Sequence, residues 1–109
     1  MATDSHDDRR PLLVMCTARW CIACKRYNPE DLQELCRQHR VHLRFIDVED
    51  AVPGETDDRL LEEHDVDELP TFLLLQDGVL LGKYTGVAHK RPLRNVAKLL
   101  NKLKPPAGV

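Results

Sequence analysis

The chain has 109 residues, 42% hydrophobic and 31% charged, with a formal net charge of −2, which fits one globular domain with a modest core. That near-neutral balance excludes bulk electrostatic attraction to nucleic acid or to a membrane surface, and no apolar run approaches the ~18 residues that cross a bilayer. The charge is nonetheless uneven: residues 47–68 carry eleven acids and one base (Arg59), and the remainder carries fifteen bases against seven acids, both patches being read as solvated surface.

Residues 1–10 are polar and contain Asp4, Asp7 and Asp8, so they form a disordered lead-in rather than a secretory signal or an intact mitochondrial presequence. Pro11 opens the domain, placed at 11–104, and Leu12–Thr17 is a short apolar strand. A segment with two cysteines follows, Trp20-Cys21-Ile22-Ala23-Cys24-Lys25, and reads as the start of a helix running through Cys36. Pro29 falls inside it and is expected to kink it, because proline removes an i→i−4 hydrogen bond. Beyond the kink, Leu32, Leu35 and Cys36 share one face. Val41–Val48 is a second strand, whose nearly continuous apolar end suggests a sheet covered on both faces.

Pro53-Gly54 makes a turn, and Thr56 caps a short helix to about His64 with Leu60 and Leu61 inward. Leu69-Pro70-Thr71 leads into a third strand, Phe72–Leu75. Asp77-Gly78 is a two-residue hairpin signal joining it to Val79–Tyr84, and Gly86 ends that strand. The last helix carries Pro92 in its first turn and an apolar face of Leu93, Val96, Leu99, Leu100 and Leu103. Pro105-Pro106 begins a tail over 105–109. The order is β-α-β-α-β-β-α, with the first two strands parallel through a right-handed crossover and the last two antiparallel.

The chemistry concentrates at Cys21 and Cys24. A helix start presents unpaired N–H groups and the positive end of the macrodipole. Arg19, Lys25 and Arg26 add positive charge, and both effects favour a thiolate at Cys21, the attacking species in disulfide exchange. Cys24 lies one turn on, close enough to close a disulfide. Four irregularly spaced cysteines do not make a disulfide scaffold, and Cys16 and Cys36 read as core thiols. No metal site is expected within one chain, since zinc or iron–sulfur ligation wants about four ligands. The five histidines lack ligand spacing, and neither a Ser/His/Asp arrangement nor a glycine-rich phosphate loop is present.

The strand-borne CxxC, the proline 46 residues after Cys24 and the Asp77-Gly78 hairpin together resemble the thioredoxin family, over nearly the whole span from Pro11 to Leu103. The resemblance implies an α/β, thioredoxin-like fold: a central mixed four-stranded sheet flanked by helices on both faces. It also implies a cis peptide before Pro70, backbone hydrogen bonds from Leu69 to an extended substrate, and a groove of Trp20, Leu69, Pro70, Gly86 and Val87 around an exposed Cys21. Three departures bear on function. Ile22-Ala23 replaces the family's common Gly-Pro, a dipeptide that tunes the thiolate. Met15 replaces a buried aspartate beneath the second cysteine and Phe45 a nearby lysine, which leaves an apolar floor without a proton acceptor. The ten polar residues before Pro11 cannot supply the family's extra first strand and helix, so a sheet edge is left open.

The expected reaction is thiol–disulfide exchange on protein or small-molecule disulfides, with Cys21 as nucleophile, Cys24 as resolving thiol, a separate reducing partner and no cofactor. The apolar floor makes it a weak general reductase. The alternative is a redox-regulated chaperone or binding protein, with a cluster bridged between two chains through Cys21 and Cys24 as a further variant. The chain is expected to be a monomer or weak dimer, in the cytoplasm or alternatively the mitochondrial matrix, with no nucleic-acid or membrane partner.

Overall fold

The computed structural model describes residues 10–85 and 91–103; the lead-in, the Gly86-Val87 loop and the C-terminal tail fall outside that set. Four strands, β1 (Leu12–Thr17), β2 (His42–Asp47), β3 (Thr71–Gln76) and β4 (Val79–Thr85), make one mixed sheet in the order β2-β1-β3-β4. β2 runs parallel to β1, whereas β3 and β4 run antiparallel to their neighbours. Three helices complete the fold: α1 (Pro29–Gln38), α2 (Thr56–Glu63) and α3 (Pro92–Leu100).

Side chains alternate across a strand, so the two central strands feed two cores. Leu13 and Met15 of β1 join Phe72 and Leu74 of β3 on one face, under Leu32 and Cys36 of α1 and Val96, Leu99 and Leu100 of α3. Val14, Cys16, Leu73 and Leu75 point the other way, with Ile46 of β2 and the half-buried Leu60 and Leu61 of α2. Helices therefore cover both faces of the four-stranded sheet.

The hairpin forms at Asp77-Gly78, where both residues take positive φ (52° and 80°), as a tight two-residue turn requires. β4 carries a bulge, Leu74 pairing with Gly82 and Leu75 with Leu80. Gly82 sits where α3 crosses the strand: a Cβ there would lie 2.6 Å from Leu99 Cδ1. The absent side chain lets helix and sheet close on one another.

Three local expectations are corrected. The segment from Cys21 to Cys36 is not one kinked helix. Ala23–Arg26 is a 3-10 turn, Tyr27 and Asn28 are extended, and Pro29 is the first residue of α1. A residue before proline avoids the α region, and Asn28 is a strong cap: its Oδ1 accepts from the N–H of Glu30 (2.8 Å) and Asp31 (3.2 Å). Proline at this position starts the helix because its missing N–H was never needed. The cap of α2 is Glu55, without a side-chain hydrogen bond, and Thr56 is already helical. Finally, β2 is an edge strand in which Ile46 alone is buried, so its apolar end is not covered on both faces.

Candidate active site

The parallel and antiparallel registers bring three chain ends together. Thr17, at the end of β1, pairs with Asp47 at the end of β2, and Cys16 pairs with Thr71 at the start of β3. The loop that leaves Thr17 therefore enters the cysteine motif between the end of β2 and the Leu69-Pro70 approach to β3. Within the motif the Cys21 N–H donates to Ala18 O (3.0 Å), Lys25 N–H to Ile22 O (3.0 Å) and Tyr27 N–H to Cys24 O (3.1 Å). These local bonds wind the chain tightly enough to place the two cysteine Cα atoms 5.3 Å apart, and Cys21 and Cys24 are joined as a disulfide.

The electrostatics of Cys21 differ from the expectation based on a long helix. A four-residue 3-10 turn supplies little macrodipole, which grows with the number of aligned peptides. A specific donor takes its place: the Cys24 N–H lies 3.1 Å from Cys21 Sγ. A hydrogen bond to the charged form of a thiol lowers its pKa, so this N–H favours the thiolate of Cys21 once the bridge is reduced. Arg19 contributes less than expected, because its exposed guanidinium contacts Asp50 at 3.2 Å, Asp47 at 3.7 Å and Glu49 at 4.0 Å. The hydrogen bonds that Arg19 donates to Asp50 and these negative charges hold Arg19 above its usual range, and they offset its charge locally. Lys25 is exposed and has no such partner among the described residues.

Cys21 is not open to solvent as expected: it and Cys24 are each 5% exposed. Both pack into the core shared by α1 and α3, in the cluster that holds Met15, Ala18 and Tyr27. An attacking sulfur must enter through the small residual area. What stands open is the surround, with Trp20 61% and Ile22 80% exposed. Pro70 is fully buried, the Leu69–Pro70 peptide is cis, and Thr71 Oγ1 donates to Glu68 O at 2.6 Å. Leu69 is half-buried between the two cores.

Met15 is buried in the cluster of the disulfide, but Phe45, its register neighbour on β2, is 40% exposed at the sheet edge. Met15 therefore supplies the floor, and Phe45 does not. Tyr27 packs on Phe72 with ring centroids 4.9 Å apart, and burial pushes its hydroxyl up to about 12. Among the described residues no aspartate or glutamate is buried, so no acid is buried near the pair. Cys16 and Cys36 are buried thiols on opposite faces of the sheet, pushed up by burial to about 12 and about 11. The described residues hold no group of three or more metal-ligating side chains, and no helix among them is long and apolar enough to cross a membrane.

Two cavities bear on assignment. The larger, about 530 Å³, lies between the loop after β2 and the start of α2, contains the Arg44–Asp57 ion pair and is lined by no cysteine. A smaller one of about 240 Å³ is lined by Thr17, Ala18, Arg19, Cys24, Lys25 and Asp47. It belongs to the cysteine site and adds Asp47, a residue that sequence reasoning passed over. The signal available was only its place at the end of a strand parallel to β1.

Comparison with known proteins agrees with this geometry. The chain is 30% identical over 91 residues to the mitochondrial thioredoxin of Mus musculus, covering 83% of this chain and 51% of that one. It is 26% identical over 96 residues to an H-type thioredoxin of Picea mariana, covering 88% and 72%. The chain thus spans about half the length of the mammalian relative. In three dimensions it is similar to the germline-specific thioredoxin Deadhead of Drosophila melanogaster, with a TM-score of 0.71 at 22% identity, over 91% of this chain and 86% of that one. The Thioredoxin family model matches residues 3–99, nearly the whole chain, and on that extent of match the chain belongs to the thioredoxin family.

Proposed function

We propose that this chain is a protein thiol–disulfide oxidoreductase. The observation that carries the proposal is the Cys21–Cys24 bridge in a tight turn at the end of β1, with the Cys24 N–H directed at Cys21 Sγ. In the reduced form the Cys21 thiolate attacks a client disulfide: a Cys21–client bond forms, and the other client sulfur leaves as a thiolate. Cys24 then attacks Cys21 Sγ, closing the bridge and releasing the second client thiolate. A dithiol partner returns the two electrons. Trp20 and Leu69, backed by the buried Pro70 and with Gly86 and Val87 beyond the described residues, form the client groove, and Lys25 assists the thiolate.

The test is a pair of variants. Cys21→Ser abolishes exchange, whereas Cys24→Ser accumulates a covalent client adduct at Cys21. Full activity in both would remove the mechanism. The apolar Met15 beneath the pair supports a slow resolving step, so reduction of insulin is expected to run well below that of an ordinary thioredoxin at equal concentration. Equal rates would refute this.

A second reading, a redox-regulated binding protein or chaperone, draws on the exposed Trp20 and Ile22 beside a nearly buried disulfide. A Cys21→Ser/Cys24→Ser protein that still protects an unfolding client favours it. The site of action is a reducing compartment. The mitochondrial name of the mammalian relative supports the matrix, and fractionation decides between matrix and cytoplasm.

A further inference from the structure

The resolving step asks a neutral, nearly buried Cys24 thiol to lose its proton. Ionising it unaided is costly where burial disfavours charge, and the described interior offers no carboxylate. Cys24 does, however, line the cavity of about 240 Å³ that Asp47 also lines. Asp47 is anchored there: its Oδ1 accepts the Glu49 N–H at 2.9 Å, and its side chain is 19% exposed. Oδ2 lies 3.7 Å from Arg19, in a contact looser than a hydrogen bond, so it stays available as an acceptor. The volume is far above the ~10–15 Å³ that one water needs, and the walls present the polar partners that would hold one.

We propose that Asp47 accepts the Cys24 proton, relayed by water in this cavity, as Cys24 attacks the mixed disulfide. The inference rests on the oxidoreductase reading above. In the step, the Cys24 S–H bond breaks and its proton passes through water to the Asp47 carboxylate. The Cys24 sulfur uses its electron pair to bond Cys21 Sγ, and the Cys21–client bond breaks with its pair leaving on the client sulfur. Asp47 returns the proton to solvent. No external oxidant or reductant takes part. The charged groups facing Asp47 are Arg19 and Lys25 on the cavity wall, with Glu49 and Asp50 across the Arg19 guanidinium. Arg19 and Lys25 place positive charge on the same wall as the Asp47 carboxylate.

The experiment mixes the reduced protein with 5,5′-dithiobis(2-nitrobenzoate) in a stopped-flow instrument. The first release of thionitrobenzoate reports attack by Cys21 and depends on reagent concentration; the second reports resolution by Cys24 and does not. Asp47→Asn retains an acceptor for the Glu49 N–H, so the turn is kept. It is expected to leave the first phase within about twofold and to slow the second roughly 10- to 100-fold, at or below the usual range for a lost general base. The wild-type second phase should be nearly flat with pH around neutrality. In the variant it should rise about tenfold per pH unit, because only preformed Cys24 thiolate reacts. Added formate, small enough to enter the cavity, should accelerate the variant and not the wild type. An unchanged second phase overturns the assignment of Asp47. So does a slowed phase that stays flat with pH and ignores formate, since that marks a structural role. Absence of both phases in the wild type overturns the oxidoreductase reading itself.

Discussion

In the reduced protein, alkylation should separate the four cysteines into two pairs. Cys16 is fully buried and pushed from 9.0 up to about 12, chiefly by burial with Asp57 adding to it, and Cys36 is pushed up to about 11 by burial alone. At any pH well below these values the thiolate population falls tenfold for each pH unit by which a pKa rises. Relative to an ordinary thiol, Cys16 then holds roughly a thousandth of the thiolate and Cys36 roughly a hundredth. Burial of both sulfurs slows reagent access further. Iodoacetamide near pH 8, followed by peptide mass spectrometry over time, should label Cys21 first and leave Cys16 and Cys36 unmodified until guanidinium unfolds the chain. In the oxidised protein no site should react in the folded state. Labelling of Cys16 or Cys36 within tenfold of the Cys21 rate would refute the burial argument and reopen both as members of the redox site.

Other outcomes follow from single contacts. Gly82→Ala drives a Cβ to 2.6 Å from Leu99 Cδ1, which is buried and cannot swing away; overpacking of this kind costs about 1–3 kcal/mol, read as a lower denaturant midpoint at constant slope. Asn28→Ala removes the acceptor of two N–H groups at the head of α1 and should cost about 0.5–2 kcal/mol, with Asn28→Asp recovering most of it. Alkaline pH should destabilise the fold in a defined direction. Cys16, Cys36 and Tyr27 all have folded pKa values raised above their unfolded ones. Their stabilising contribution is therefore complete below about pH 9 and is lost as pH climbs through about 11 to 12, where the unfolded chain releases protons that the folded one retains. A thermal midpoint that holds level across that window would contradict it.

Much of the fold was legible because its signals are local or periodic. The four consecutive apolar residues Leu13–Cys16 demand cover on both faces, and the two cores supply it. Asp77-Gly78 carries its turn in two residues whose side chains tolerate positive φ. Other features were hidden for physical reasons. Pro29 was ambiguous, since the same missing N–H can kink a helix or begin one; Asn28 decides it, and its importance emerges only when its side chain is seen accepting two donors. The exposure of β2 depends on what lies outside the strand, which its own residues do not encode. The pairing of Arg19 with Asp47, Glu49 and Asp50, and the place of Asp47 in the lining of the cavity that Cys24 lines, arise from the parallel register of β1 and β2. Contacts thirty residues apart leave no periodic trace in the chain.

The departures of the motif from the family pattern can now be assigned to different physical levels. Ile22 adopts φ −65° and ψ −42°, an ordinary right-handed conformation, so the turn places no demand for glycine there. Ala23 then starts the 3-10 turn without needing the fixed φ of a proline. The Ile-Ala pair therefore leaves the backbone that aims the Cys24 N–H at Cys21 Sγ intact. Its consequence lies at the surface, where Ile22 and Trp20 set apolar area beside the bridge, within the client groove proposed above. Met15 lies at the opposite level, buried in the cluster that holds the pair, where an apolar side chain offers no charge or proton acceptor; the slow resolving step proposed above rests on that. The two departures are separable on the proposed mechanism: Ile22→Gly should alter client preference without altering the unimolecular resolving rate, because the proposed path of the Cys24 proton runs through the cavity and not past residue 22.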